Sequence, residues 1–138
     1  MTARTHEIEQ FPETLAVVRL APGAEIPEWA ESSSIFSITA TSDETSLVCA
    51  ARSVPKKSVH RGPLTAFAVN GPLDLDLVGV LHGLLGPLVE EEVSVLTLST
   101  YDTDWILVAR DDAERVAEAW RRQGHTVAPA DPSRKKKS

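Results

Sequence analysis

Twelve residues near the middle of this chain return near its end, and that echo narrows the possible architectures more than any composition figure. Laying Ser37 to Val48 (SITATSDETSLV) on Thr97 to Val108 (TLSTYDTDWILV) at an offset of sixty residues aligns Ile38 with Leu98, Thr39 with Ser99, Leu47 with Leu107 and Val48 with Val108. The spacing reads as a tandem repeat, and an internal repeat decides architecture before single residues do. Each unit is too small to be a comfortable domain alone, so the 138 residues are expected to form one compact body of two halves.

Composition agrees and excludes several classes. A hydrophobic share of 42% is enough to build a core. No apolar run reaches the roughly 18 residues needed to span a bilayer. The start, MTARTHEIEQF, carries no apolar stretch of the signal-peptide kind. These features predict a cytoplasmic protein with no membrane partner. Cys49 is the one cysteine, which rules out an internal disulfide framework and a cysteine-rich zinc site. The net charge of -6 hides an asymmetry, because Arg134, Lys135, Lys136 and Lys137 form a basic tail on an acidic body. That body should repel phosphate backbones, so no nucleic-acid partner is expected. The tail, residues 130–138, reads as a disordered, solvated end.

The second half has the clearer signals. Leu64 to Val69 is a β-prone run ended by the turn Asn70-Gly71-Pro72. From Leu73 onward, Leu77, Leu81, Leu84 and Leu88 fall at helical spacing. Pro87 and the acidic run Glu90-Glu91-Glu92 weaken the end of that helix. Gly79, Gly83 and Gly86 share one stripe of it, which predicts either tight packing on the sheet or an opening for a ligand or partner helix. Val93 to Ser99 and Trp105 to Ala109 read as paired strands across a polar turn. Asp111 with Glu114 predicts a capping box for a helix whose face is Ala113, Val116, Ala117 and Trp120, and Gly124 stops it. His125 to Ala128 supplies a last strand. The order is βαββαβ, a ferredoxin-like arrangement.

The first half repeats this plan in shortened form. Thr14 to Leu20 is a strand, Pro27 to Glu31 allows about one helical turn, and Ile35 to Ala40 with Ser46 to Ala51 repeat the strand pair. Pro55 and Lys56-Lys57 stand where the second helix belongs. The predicted fold class is therefore α+β: two ferredoxin-like repeats, residues 11–62 (abbreviated) and 63–129, with antiparallel sheets and helices on one face.

Gly71-Pro72-Leu73-Asp74, Gly86-Pro87-Leu88, and above all Val93-Ser94-Val95 leading into Ser99-Thr100-Tyr101-Asp102-Thr103-Asp104 resemble the tandem ACT-domain proteins of aspartokinase type. The cytosolic arginine sensors of animals belong to the same group. The resemblance spans roughly Thr14 to Val127 and is specific from Gly71 to Val108. In the first repeat Ala40-Thr41-Ser42 and Asp43-Glu44 replace Thr100-Tyr101-Asp102 and Thr103-Asp104, so that repeat is not expected to bind in the same way.

The resemblance implies a regulatory module that holds a free amino acid between two ACT units. One unit contributes Gly79, His82, Thr100, Tyr101 and Asp104, and its neighbour contributes Ser94 and Val95. A single complete motif per chain then requires a second copy, hence a homodimer. The chemistry is consistent: Asp104 can pair an ammonium, while strand-edge amides and the hydroxyls of Ser94 or Thr100 can receive a carboxylate. Against this stand plainer readings, of Asp102 and Asp104 as a polar turn and of His82 as a packing residue. An enzyme is not expected, since Asp102 and Asp104 at i, i+2 need not face each other and no nucleophile or phosphate-loop motif is present. His6, His60, His82 and His125 lie too far apart in sequence for a metal-ligand spacing, and no cofactor is expected. The alternative is a ligand-independent interaction domain that uses its sheet edge or helix stripe.

Overall fold

The computed structural model describes residues 4–73 and 77–131. They form one curled sheet of seven strands with two helices. In chain order the elements are β1 (Glu7–Leu20), β2 (Ser37–Ala40), β3 (Thr45–Ala50), β4 (His60–Val69), α1 (Val80–Glu90), β5 (Val95–Ser99), β6 (Asp104–Ala109), α2 (Ala113–Arg122) and β7 (Thr126–Pro129). The sheet order is β2-β3-β1-β4-β6-β5, with β7 pairing β1 as well. All pairings are antiparallel except β1 with β7.

One strand ties the halves together. β1 is twice as long as Thr14 to Leu20 because it begins at Glu7, and its two ends have different partners. Glu7 to Gln10 lie between β4 and β7, whereas Leu15 to Leu20 lie between β4 and β3. Between them the β1–β4 register slips from Gln10↔Phe67 to Thr14↔Thr65. Pro12 falls in that slip, where its missing N–H costs no ladder bond, and the extra residues let the strand bend. The ferredoxin-like order of the second half is thus opened: β1 is wedged between β4 and β7, the strands that would otherwise be neighbours. The two segments share a sheet instead of owning one each.

The slip is pinned by Glu13. Its carboxylate accepts hydrogen bonds from Ser32 Oγ (2.6 Å), Ser33 N (2.9 Å), Ser33 Oγ (2.8 Å) and Ser34 N (3.0 Å), and it pairs with Arg52 at 3.0 Å. Its side chain is 6% exposed. Burial alone would push this carboxyl up. The bonds from Ser32, Ser34, Ser33 and Arg52 more than offset that and hold it far below the ordinary carboxylate range. The stretch from Pro27 to Glu31, expected to make about one helical turn, makes a single hydrogen-bonded turn, with the Ala30 amide donating to the Pro27 carbonyl at 3.1 Å, and no helix. Trp29 from this loop packs over Val18, Leu47 and Cys49.

The main core lies between the helices and the second-half strands. Ile8, Phe67, Ile106 and Val108 from the sheet meet Leu84 and Leu88 of α1 and Val116, Ala117 and Trp120 of α2. Trp120 is fully buried and sits edge-on to Phe67, with ring centroids 5.0 Å apart. Its indole N–H donates to the Leu84 carbonyl at 2.8 Å, which locks α2 onto α1. The acidic end of α1 is relieved in the same way: Arg115 donates to the Glu91 carbonyl at 3.1 Å and Arg122 lies 3.7 Å from the Glu91 carboxylate.

Three local expectations are corrected. Asp111 makes no cap. Arg110–Asp112 form a 3-10 turn, α2 starts at Ala113, and Asp112 instead binds Arg115 at 2.8 Å. α1 starts at Val80, not near Leu73, because Gly79 has φ +86° and leaves the helix there. The glycine stripe is not packed on the sheet, since a Cβ at Gly79, Gly83 or Gly86 would meet nothing within 4 Å. Gly124, at φ +96°, ends α2 as expected.

The two hairpins close alike, at an offset one residue shorter than sixty. β2–β3 closes at Ala40↔Thr45 and β5–β6 at Ser99↔Asp104, so equivalent turn residues stand fifty-nine apart. Thr41 and Thr100 then coincide and make the same bonds. Each backbone N–H and each hydroxyl donates to the carbonyl three residues on, and each Oγ1 accepts from the amide of that residue. The partner of Asp104 is consequently Thr45, not Glu44. Thr45 is buried, and its hydroxyl has no partner among the described residues.

Candidate functional site

A cleft of about 410 Å³ opens between the start of α1 and the β5–β6 turn. The turn is built from its own side chains. Thr100 closes it as described above, and Thr103 Oγ1 donates to the Val69 carbonyl at 2.6 Å, which fastens it to the end of β4. On the other side the Leu73 amide donates to the Asp102 carbonyl at 2.7 Å. Gly71 makes this approach possible: a Cβ there would lie 2.9 Å from Leu73 N and 3.0 Å from Asp102 O. The chain leaving β4 and the turn entering β6 therefore form one wall.

α1 forms the opposite wall. Gly79 is its N-cap in the left-handed region, with no side-chain cap bond and no acidic residue in the first turn. The amides at the head of a helix have no intrahelical acceptor and carry the positive end of the dipole. Val80, Leu81 and His82 bring that end to the cleft. Facing it is Asp104, half-buried, whose Oδ1 accepts from Ser99 Oγ at 2.8 Å. Among the described residues no lysine or arginine lines the cleft. Tyr101 is 85% exposed at its mouth.

Of the seven residues singled out from the sequence, the cleft gathers five: Gly79, His82, Thr100, Tyr101 and Asp104. Ser94 and Val95 lie at the far end of β5, Ser94 exposed and Val95 half-buried against the helix-side core. They take no part in this cleft. Sequence reasoning missed Ser99, which orients Asp104, and the free amides at the head of α1. The signal for the amides was present as a glycine followed by an apolar turn with no capping side chain, but the leucine spacing placed Gly79 inside the helix. Leu73 and Leu77, read as a helical face, line the cleft instead. Asp74, part of the motif, lies outside the described residues. Among the described residues no cluster of histidine, cysteine and acidic side chains is suited to a metal, and no helix is long and apolar enough to cross a membrane.

Residues 60–122 match the family model described as ACT domain, and residues 13–57 match a separate model described as an N-terminal domain. No curated protein matches the sequence. Among solved structures, one from Agrobacterium tumefaciens superposes with a TM-score of 0.85 at 27% identity, covering 97% of this chain and 100% of that one. A Vibrio cholerae protein of unknown function, described as a possible transport protein, gives 0.72 at 14%, covering 86% and 90%. The regulatory subunit of aspartate kinase from Thermus flavus gives 0.62 at 6%, covering 88% and 99%. Residues 60–122, which hold the whole cleft, thus match the ACT domain, and the chain as a whole has the fold of an aspartate kinase regulatory subunit.

Proposed function

We propose that this protein is a regulatory module that binds a free α-amino acid in the cleft between α1 and the β5–β6 turn. The observation that carries the reading is the pairing of opposite polarities across it. The head of α1 offers amides and a partial positive charge, and Asp104 offers a carboxylate with Oδ2 unpartnered among the described residues. A zwitterion matches both at once. Its carboxylate takes the place of the missing cap on α1, and its ammonium pairs with Asp104. The amides replace the strand edge as carboxylate receptor, and Thr100, whose hydroxyl is spent on its own turn, is structural. His82 and Tyr101 stand where a ligand side chain would emerge.

The cleft is open on the side of the mouth, and Ser94 and Val95 belong in this reading to a second copy that closes it. The functional unit is then a homodimer holding two equivalent ligands. The first hairpin, with Thr45 where Asp104 stands, does not form such a site, so the chain is a tandem repeat with one binding member. The role is regulatory and not catalytic: the cleft offers a charge pair for binding, and the Ser99 hydroxyl beside Asp104 orients that carboxylate. The test is calorimetry with the twenty free amino acids. A saturable heat for at least one, absent for its amide and its N-acetyl derivative, supports the reading. No saturable heat for any of them leaves the ligand-independent interaction domain in its place.

A further inference from the structure

The sheet carries a second cavity on the face away from the helices. Val48 of β3 and Leu96 of β5 are four strand positions apart, which in a flat sheet is roughly 19 Å. Here they line one pocket, because the sheet curls until its two edge strands approach each other. The pocket encloses about 240 Å³. Its floor is Val17, Val48, Leu96 and Leu98, an extension of the apolar cluster around Leu15, Ala66 and Leu107. Its rim is Ser37, Thr39, Thr41, Ser46 and Glu44. The side chains of Glu44, Ser46 and Val48 share a face by strand alternation, while buried Thr45 points to the other.

Glu44 gives this pocket a sign. Its carboxylate is half-buried and has neither a hydrogen bond nor an ion pair among the described residues. Two cations share this face, Arg19 set opposite Ser46 and Arg61 of β4 set opposite Val17, and Arg19 donates to the Asp43 carbonyl at 3.4 Å. Among the described residues no basic side chain lines the cavity. An apolar floor with hydroxyls and one unclaimed carboxylate at the rim is complementary to a cation on a short hydrocarbon body. We infer that this pocket binds a small primary alkylamine, with the ammonium at Glu44 and the chain on Leu96 and Leu98. The site differs in chemistry from the α1 cleft, since it has no helix terminus to receive a carboxylate.

The test is methyl NMR of protein labelled at leucine and valine, titrated with n-pentylamine and, in parallel, with pentan-1-ol and pentanoate. The amine is expected to shift the methyls of Val17, Val48, Leu96 and Leu98 saturably at millimolar concentration. Pentanoate should not move them, and the alcohol should bind at least tenfold more weakly than the amine. Glu44→Gln, on the protein surface and outside every core contact, should lose tenfold or more in amine affinity while its amide spectrum stays that of the parent. Shifts at Val80 and Leu81 alone, equal affinity for amine and alcohol, or an unchanged affinity in Glu44→Gln would each overturn the assignment.

Discussion

One carboxylate and one histidine pair set how this molecule responds to acid, and their partners explain why. Glu13 is enclosed by donors and holds the slip in β1, so its contribution is to stability. Glu13→Gln should cost about 1.5–3 kcal/mol, the range for hydrogen bonds to a charged group, measurable by urea denaturation. Because its folded pKa is depressed, its contribution is complete above the ordinary value of 4.5 and fades as pH falls below it. An acid-sensitive histidine pair stands at the start of the same strand. The His6 amide donates to His125 Nδ1 at 3.0 Å and the two rings stack. His125 is held low by burial and by the neighbouring His6, and His6 by burial and Arg4. Both are harder to protonate folded than unfolded, so stability should begin to fall as pH drops below 6.5. Melting temperatures across pH 7.5 to 5 should show this slope in the parent, and a shallower one in His125→Gln.

At the scale of elements, α2 and the β5–β6 hairpin were legible because their patterns are complete. The face Ala113, Val116, Ala117 and Trp120 is fully interior, and the hairpin closes where the polar run STYDTD interrupts two apolar ones. β1 was legible only in its apolar half. Glu7 to Glu13 reads as a polar segment with a proline, and its strand character comes from neighbours far along the chain, β4 and β7. The hairpins correspond at fifty-nine residues, not sixty, because aligning Val48 with Val108 rewards similar letters, whereas the turn hydrogen bonds set Thr41 on Thr100. Five of the residues that line the cleft were legible through the motif, but the head of α1 was not, since Gly79 lies within the run of leucine spacing while its left-handed backbone bounds the helix. Gly79→Ala should therefore strain the cap by about 1–3 kcal/mol despite the open space around it, with a loss of amino-acid affinity larger than for Gly83→Ala. Trp120→Phe removes the indole donor and leaves the Leu84 carbonyl without that bond. It should lower stability by about 1–3 kcal/mol, read as a lower urea midpoint.

At the scale of the whole molecule, one sheet carries the cleft, and the proposed function has a second copy close it. Light scattering at micromolar concentration is expected to give twice the 15.0 kDa of the chain, and a monomer with and without ligand would remove the closing role of Ser94 and Val95. The central claim is that Asp104 and the head of α1 together hold a zwitterion. It is tested most directly by calorimetric titration of the parent and Asp104→Asn with the amino acid that binds the parent. The account predicts a loss of about 2 kcal/mol or more, near thirtyfold, from removing one charge of a desolvated pair, with circular dichroism unchanged and Glu44→Gln binding like the parent. Equal affinity in the parent and Asp104→Asn would contradict it.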